Sequence, residues 1–179
     1  MALTRLGPNQ SINLASNVTG TLATGNGGTG ATSFAPGKVL QTVNTLTSLN
    51  TTMNSTSFAD TGLSRTITCS ATSSKVFGIV TMPFGFNANS QDDTSYGAFK
   101  ILRDSTSVQE GFCGFQSLGT VNNFVKYDQF SIAFYDSPSS TSSLTYKLQV
   151  RQQSGTNGYV QIGVGTTNGC SMVLMEIGA

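Results

Sequence analysis

The stretch Lys75-Val-Phe-Gly-Ile-Val-Thr-Met-Pro-Phe84 decides the fold of this chain, because only its first residue is charged. A short, nearly continuous apolar run of this kind is typical of a β-strand in a protein core. Two interpretations of the strand stay open at this stage. It is buried on both faces, or it is buried on one face and contacts another subunit with the other.

Further short strands are predicted on both sides of this run, separated by turn residues. Strict alternation places Phe130, Ile132 and Phe134 on one face of a strand, and separates Leu148 and Val150 from their charged and polar neighbours. Strand and turn repeat at intervals of roughly 8–15 residues, which is typical of a sandwich. We therefore expect an all-β fold, an antiparallel β-sandwich or jelly-roll-like domain over residues 58–179. The predicted strands lie at 65–69, 75–84, 98–103, 108–115, 129–135, 144–151, 159–164 and 170–177.

The first 57 residues differ in composition from the rest of the chain. They contain two charged residues, Arg5 and Lys38, and they are rich in Gly, Thr, Ser and Asn. Such a segment buries too little apolar surface to offset the entropy of ordering it alone. It is either a flexible linker or an extended stalk or docking segment. We expect docking, because Leu3, Leu6, Ile12 and Leu14 recur every two to six positions.

The overall composition excludes several classes of function. Charged residues make up 9% of the chain, the net charge is +1, and histidine is absent. The charge gives no electrostatic basis for binding nucleic acid. The absence of His removes the commonest general base and metal ligand. No apolar run reaches the roughly 18 residues of a membrane span. The N-terminal residues also lack the apolar region that is typical of a secretory signal. We expect no membrane insertion.

Two parts of the sequence resemble bacteriophage proteins. The element Gly25-Asn-Gly-Gly-Thr-Gly-Ala-Thr-Ser-Phe34 resembles the N-GGTGAT-x-F element of phage tail-fibre proteins. Most of the remaining chain resembles small virion appendage proteins of marine and cyanobacterial phages. The segments that carry that similarity are Met1–Asn9, Ala35–Gln41, Phe58–Ser64, Ser73–Val76 and Met172–Ala179.

The resemblance implies a structural virion protein and not an enzyme. It implies a homotrimer whose N-terminal segment (residues 1–57) binds other virion proteins and whose β-domain points outward. We expect a tail-fibre or tail-appendage subunit that contacts a host surface glycan or protein. The alternative is a capsid-decorating or head-fibre protein that stabilises the particle. The apolar run 76–84 and the last strand are candidates for the subunit interface, and ordinary core is the alternative for both.

Few residues are candidates for chemistry. Asp92 and Asp93 are an adjacent acidic pair, and Tyr96 follows the same polar loop, so the three are candidates for surface recognition; a solvated turn and the edge of the core are the alternatives. Cys69, Cys113 and Cys170 are expected to be buried, reduced thiols. We predict no catalytic residue, cofactor or metal ligand, and a glycan-cleaving enzyme is the remaining alternative.

Overall fold

The computed structural model describes residues 38–88, 96–114, 124–154, 159–163 and 169–178. The chain divides into two compact units, Met1–Pro36 and Gly37–Ala179, and all described residues belong to the second. The described residues form ten strands and two antiparallel sheets, which confirms the predicted all-β sandwich. The strands are β1 (Val39–Thr47), β2 (Thr51–Met53), β3 (Ala59–Thr68), β4 (Lys75–Ala88), β5 (Tyr96–Arg103), β6 (Thr106–Gly114), β7 (Phe124–Asp136), β8 (Ser143–Ser154), β9 (Tyr159–Ile162) and β10 (Cys170–Ile177).

Strand β4 organises the larger sheet. One of its edges pairs with β7 from Val76 to Ala88, and its other edge pairs first with β10 and then with β9. The outer strands β1 and β2 then pair with β10 and β9. The smaller sheet has the order β3-β8-β5-β6. Its central strand β8 pairs with β3 on one edge and with β5 on the other.

The core lies between the two sheets and follows the period of two that strands impose. Val76, Val80 and Met82 of β4 are fully buried, and they belong to the same apolar cluster as Tyr146 and Leu148 of β8. The alternation predicted for β7 and β8 is confirmed, since Ile132, Phe134, Leu148 and Val150 are also buried.

The folded part of the chain includes residues upstream of position 58. Strands β1 and β2 lie within the segment expected to be extended, yet β1 pairs with β10 from Val39 to Thr47, with a register shift between Val39 and Gln41. The inward positions of β1 are Gln41, Val43, Thr45 and Thr47, all half-buried. Only one of these four residues, Val43, is apolar, and this pattern is too weak to predict a strand. The strand is stabilised by its pairing with β10. The docking role of the upstream residues stays a prediction.

Two glycines are required by the backbone and by packing. Gly62 has a φ of +88°, a left-handed conformation, where β3 shifts register against β8 between Asp60 and Ser64. Such β-bulges favour glycine because it has no Cβ to clash. Gly78 lies opposite Phe134 in the β4–β7 ladder, and the Phe134 ring occupies the space that a Cβ would fill.

We predict that Gly78→Val destabilises the protein by about 1–3 kcal/mol, because the added side chain forces Phe134 out of its position in a packed core. Urea denaturation, monitored by far-UV circular dichroism, measures the change in the free energy of unfolding. Gly178→Ala is the matched control, since its Cβ would meet the flexible Leu40 side chain at 3.2 Å. Equal unfolding midpoints for Gly78→Val and the wild type would contradict the packing argument.

Candidate interaction surface

A half-buried cluster around Asp136 joins the two sheets. Asp136 ends β7 in the larger sheet, and its Oδ2 accepts hydrogen bonds from Arg103 Nη1 and Tyr146 OH, both at 2.6 Å. Arg103 and Tyr146 belong to β5 and β8 of the smaller sheet. Burial and the adjacent Asp136 carboxylate raise the pKa of the Tyr146 phenol, so this group stays a neutral donor. The carboxylate's partners are an arginine and a phenol within the fold, which favours a structural role.

A second carboxylate, which is buried, joins the sheets near the start of β1. Glu176 of β10 is 1% exposed. Its Oε2 accepts from Gln41 Nε2 at 2.6 Å, and its Oε1 accepts from the backbone N–H and the hydroxyl of Ser70, both at 2.7 Å. Gln41 Nε2 also donates to the Thr68 carbonyl of β3, at 2.6 Å.

The environment of Glu176 strongly favours its charged form. Burial by itself raises the pKa of a carboxyl, but the hydrogen bonds from Gln41 and Ser70 outweigh it and lower the pKa of Glu176 to about 2. A carboxyl whose folded pKa lies below its unfolded value stabilises the fold above the unfolded pKa. That stabilisation is lost as the pH falls from about 4.5 towards 2.

We predict that Glu176 contributes about 3 kcal/mol of stability above pH 5, from a pKa difference of about 2.5. Glu176→Gln removes this contribution at pH 7 and flattens the loss of stability between pH 4.5 and 2. Urea midpoints measured at pH 7, 4.5 and 2.5 test it.

Asp128→Asn is the control for that pH series, because Asp128 is exposed on β7, bonded locally to Gln129 N and paired with Lys126. An Asp128→Asn variant that flattens the acid transition as much as Glu176→Gln would contradict the assignment to Glu176.

The outer face of the smaller sheet is charged. Lys147 Nζ lies 3.0 Å from Asp60 Oδ2, and Lys100 Nζ lies 3.1 Å from Glu110 Oε2. Lys100 Nζ and the Arg151 guanidinium also lie 4.2 and 4.6 Å from the centre of the Phe58 ring. These groups are hydrated and paired within the chain, as expected of a solvent-facing surface.

The outer face of the larger sheet has the opposite character. The strands β1, β10, β4 and β7 place their outward side chains in registered rows. Lys75, at the first position of β4, is the one charged residue in an outward position of these four strands. We call this surface the neutral face. Its apolar members are Leu46, Phe77, Ile79, Ala133, Tyr135, Val173, Met175 and Ile177.

The run 76–84 is not buried on both faces. Val76, Val80, Met82 and Phe84 are buried in the core, whereas Phe77 and Ile79 are half-buried on the outside. The last strand divides in the same way: Met172 and Leu174 point inward, and Val173 and Met175 point outward. The core alternative therefore describes the inward residues, and a subunit contact through the outward residues stays a prediction. The alternating exposure, and not the hydrophobicity, separates core from surface.

Within the described residues, the structure does not bring the other site residues predicted from the sequence together. Leu3, Leu6, Ile12, Leu14, Asp92 and Asp93 lie outside the described residues. Tyr96 begins β5, where its backbone pairs with Gly114 and Ser154. Their recognition and docking roles stay predictions.

The thiols that the structure describes are buried. Cys69 and Cys170 are free and buried, which confirms the prediction for these two residues, and burial raises the pKa of both thiols. In the part of the chain that the structure describes, no group of three His, Cys, Asp or Glu residues could hold a metal ion. Nor does any helix among those residues have the length and hydrophobicity to cross a membrane.

Comparison with known proteins gives remote structural likenesses alone. No family model and no curated protein matches the sequence. The fold is similar to solved structures of infectious bursal disease virus, at 13% identity and a TM-score of 0.34 for the Gt strain, and 11% and 0.29 for the Gx strain. The VP2 subviral particle of this virus matches at 13% identity and a TM-score of 0.29.

The first two matches cover 78% and 76% of this chain but 38% and 37% of the viral chains, and the third covers 78% and 37%. The chain thus spans less than two fifths of each of these three viral chains. Likeness at these TM-scores is too low to carry an argument on function.

Proposed function

We propose that this chain is a structural subunit of a bacteriophage particle, a homo-oligomeric tail-fibre or tail-appendage protein. The proposal rests on two features that occur together in this chain, a sequence resemblance and a fold. Sequence elements that resemble phage fibre and appendage proteins, at residues 25–34 and at both ends of the chain, accompany an antiparallel β-sandwich.

The physical properties of the sandwich suit a part that works outside the cell. Its two sheets are joined through the carboxylates of Asp136 and Glu176, and both are hydrogen-bonded within the protein. The low pKa of Glu176 means that mild acid leaves this connection intact. Few titratable groups and a continuous core make stability insensitive to pH over a wide range.

The proposal divides the work between the two parts of the chain. Residues upstream of β1, with Leu3, Leu6, Ile12 and Leu14, bind other proteins of the particle. The sandwich carries the outward contacts, and the loop with Asp92, Asp93 and Tyr96 is our candidate for contact with a host glycan or protein. The trimer expected from the sequence resemblance is the proposed oligomer.

Immunogold labelling of purified virions tests the location. Antibodies are raised against the folded full-length chain, and gold particles are expected on the tail or its appendages. Label confined to the head would reject the tail assignment in favour of a capsid-decorating or head-fibre protein. Absence of label from particles would contradict a virion role.

Antibody pre-incubated with an excess of the purified chain is the control, and it should remove the label wherever it is found. The labelling reports location alone and does not depend on how copies of the chain associate.

A further inference from the structure

The neutral face is continuous across four strands. One row runs Thr42, Met175, Phe77, Tyr135, and the next runs Asn44, Val173, Ile79, Ala133, with each residue opposite the next in the strand pairing. Leu46 and Tyr135, at opposite margins of the face, are 57% and 60% exposed. The centre of the face is thus aliphatic and aromatic, and its margins are accessible.

The size of the neutral face is that of an interaction patch. All four strands share one register along Lys75–Thr81 of β4, which pairs with Ser171–Ile177 of β10 on one edge and with β7 on the other. With a rise of about 3.4 Å per residue and a strand spacing of about 4.8 Å, this part of the sheet covers about 450 Å². The largest patch on a typical monomer measures about 300–600 Å² and is often an interaction site.

The charge distribution favours a second copy of the chain as the partner. Equivalent surfaces that meet around a symmetry axis, as in a homotrimer, bring like charges together, and a neutral apolar surface avoids that repulsion. The neutral face carries one charged residue, Lys75, at its end. The outer face of the smaller sheet pairs its charges internally, between Asp60 and Lys147 and between Lys100 and Glu110. Of the two outer faces, the neutral face is therefore suited to self-association.

From these observations we infer that copies of this chain associate through the neutral face, with Val173 and Ile79 at the centre of the interface. The inference deepens the proposed function, since it assigns the surface behind the proposed homo-oligomer. Cross-strand neighbours Val173 and Ile79 become buried against the partner copy. The charged face of the smaller sheet stays in contact with solvent.

The test is the solution mass of the full-length chain, measured by light scattering after size exclusion over a hundredfold range of concentration. The wild type is expected at a multiple of 18.7 kDa. Val173→Glu places a charge at the centre of the interface, and we expect it to weaken association at least about thirtyfold, as for a central interface residue. Tyr135→Ser, at an exposed margin, is a second variant that leaves the core untouched and is expected to weaken association by a smaller factor.

Thr66→Glu is the matched control, because Thr66 is exposed on the outer side of β3 in the smaller sheet. It introduces the same charge and is expected to keep the wild-type mass. Val173→Ile keeps the face apolar and is expected to keep it as well. Circular dichroism and the thermal midpoint of each variant establish that the sandwich is folded.

Each outcome decides the inference. A reduced mass for Val173→Glu and Tyr135→Ser, with wild-type mass for the controls, supports it. Folded variants that all keep the oligomeric mass overturn the assignment of the face, and leave the proposed virion role in place. A wild type that is monomeric throughout overturns both the interface and the homo-oligomer. Immunogold labelling would still decide the virion location.

Discussion

The pairing of β4 on both edges is the constraint on which the larger sheet depends. β7 follows one edge through thirteen registered pairs, from Val76 to Ala88, and β10 and β9 share the other. A strand fixed on both sides cannot slip by one residue, because a slip would turn Val76, Val80 and Met82 outward and their neighbours inward. The position of every other strand in this sheet follows from that register, including β1 and β2 through β10 and β9.

The same register produces both the core and the neutral face. Side chains of β4 and β10 alternate between the interior, where Val80 and Leu174 are fully buried, and the outside, where Ile79 and Val173 are half-buried. Apolar residues on both sides of a sheet cost solubility unless something covers the second side. In the proposed oligomer, the outward apolar residues of β4 and β10 are buried against another copy. The composition of these two strands is thereby connected with the proposed function.

Two hydrogen-bonded carboxylates, one half-buried and one buried, show how the sandwich is joined beyond hydrophobic contact. Asp136 ends the longest ladder of the larger sheet and reaches Arg103 and Tyr146 of the smaller one. Glu176, on β10, holds Gln41 of β1 and Ser70, which follows β3. Their hydrogen bonds fix the two sheets at specific points, which a purely apolar core does not do. An acidic residue in the inward phase of the last strand was the signal in the sequence for such a site, because only a satisfied carboxylate is tolerated there.

The fold class and the eight strands from β3 to β10 follow from local sequence, since the segments between turn residues show either apolar alternation at a period of two or, for 75–84, a nearly continuous apolar run. Local sequence did not determine β1 and β2, whose Thr and Asn residues resemble the low-charge segment before them. Tertiary structure alone decided that β1 joins the sheet, because β10 offers it a paired edge and Glu176 offers Gln41 a partner. Tertiary structure also decided which apolar residues of 76–84 form core and which form surface. Local sequence fixes the alternation, but only the position of the second sheet fixes which phase of it is buried.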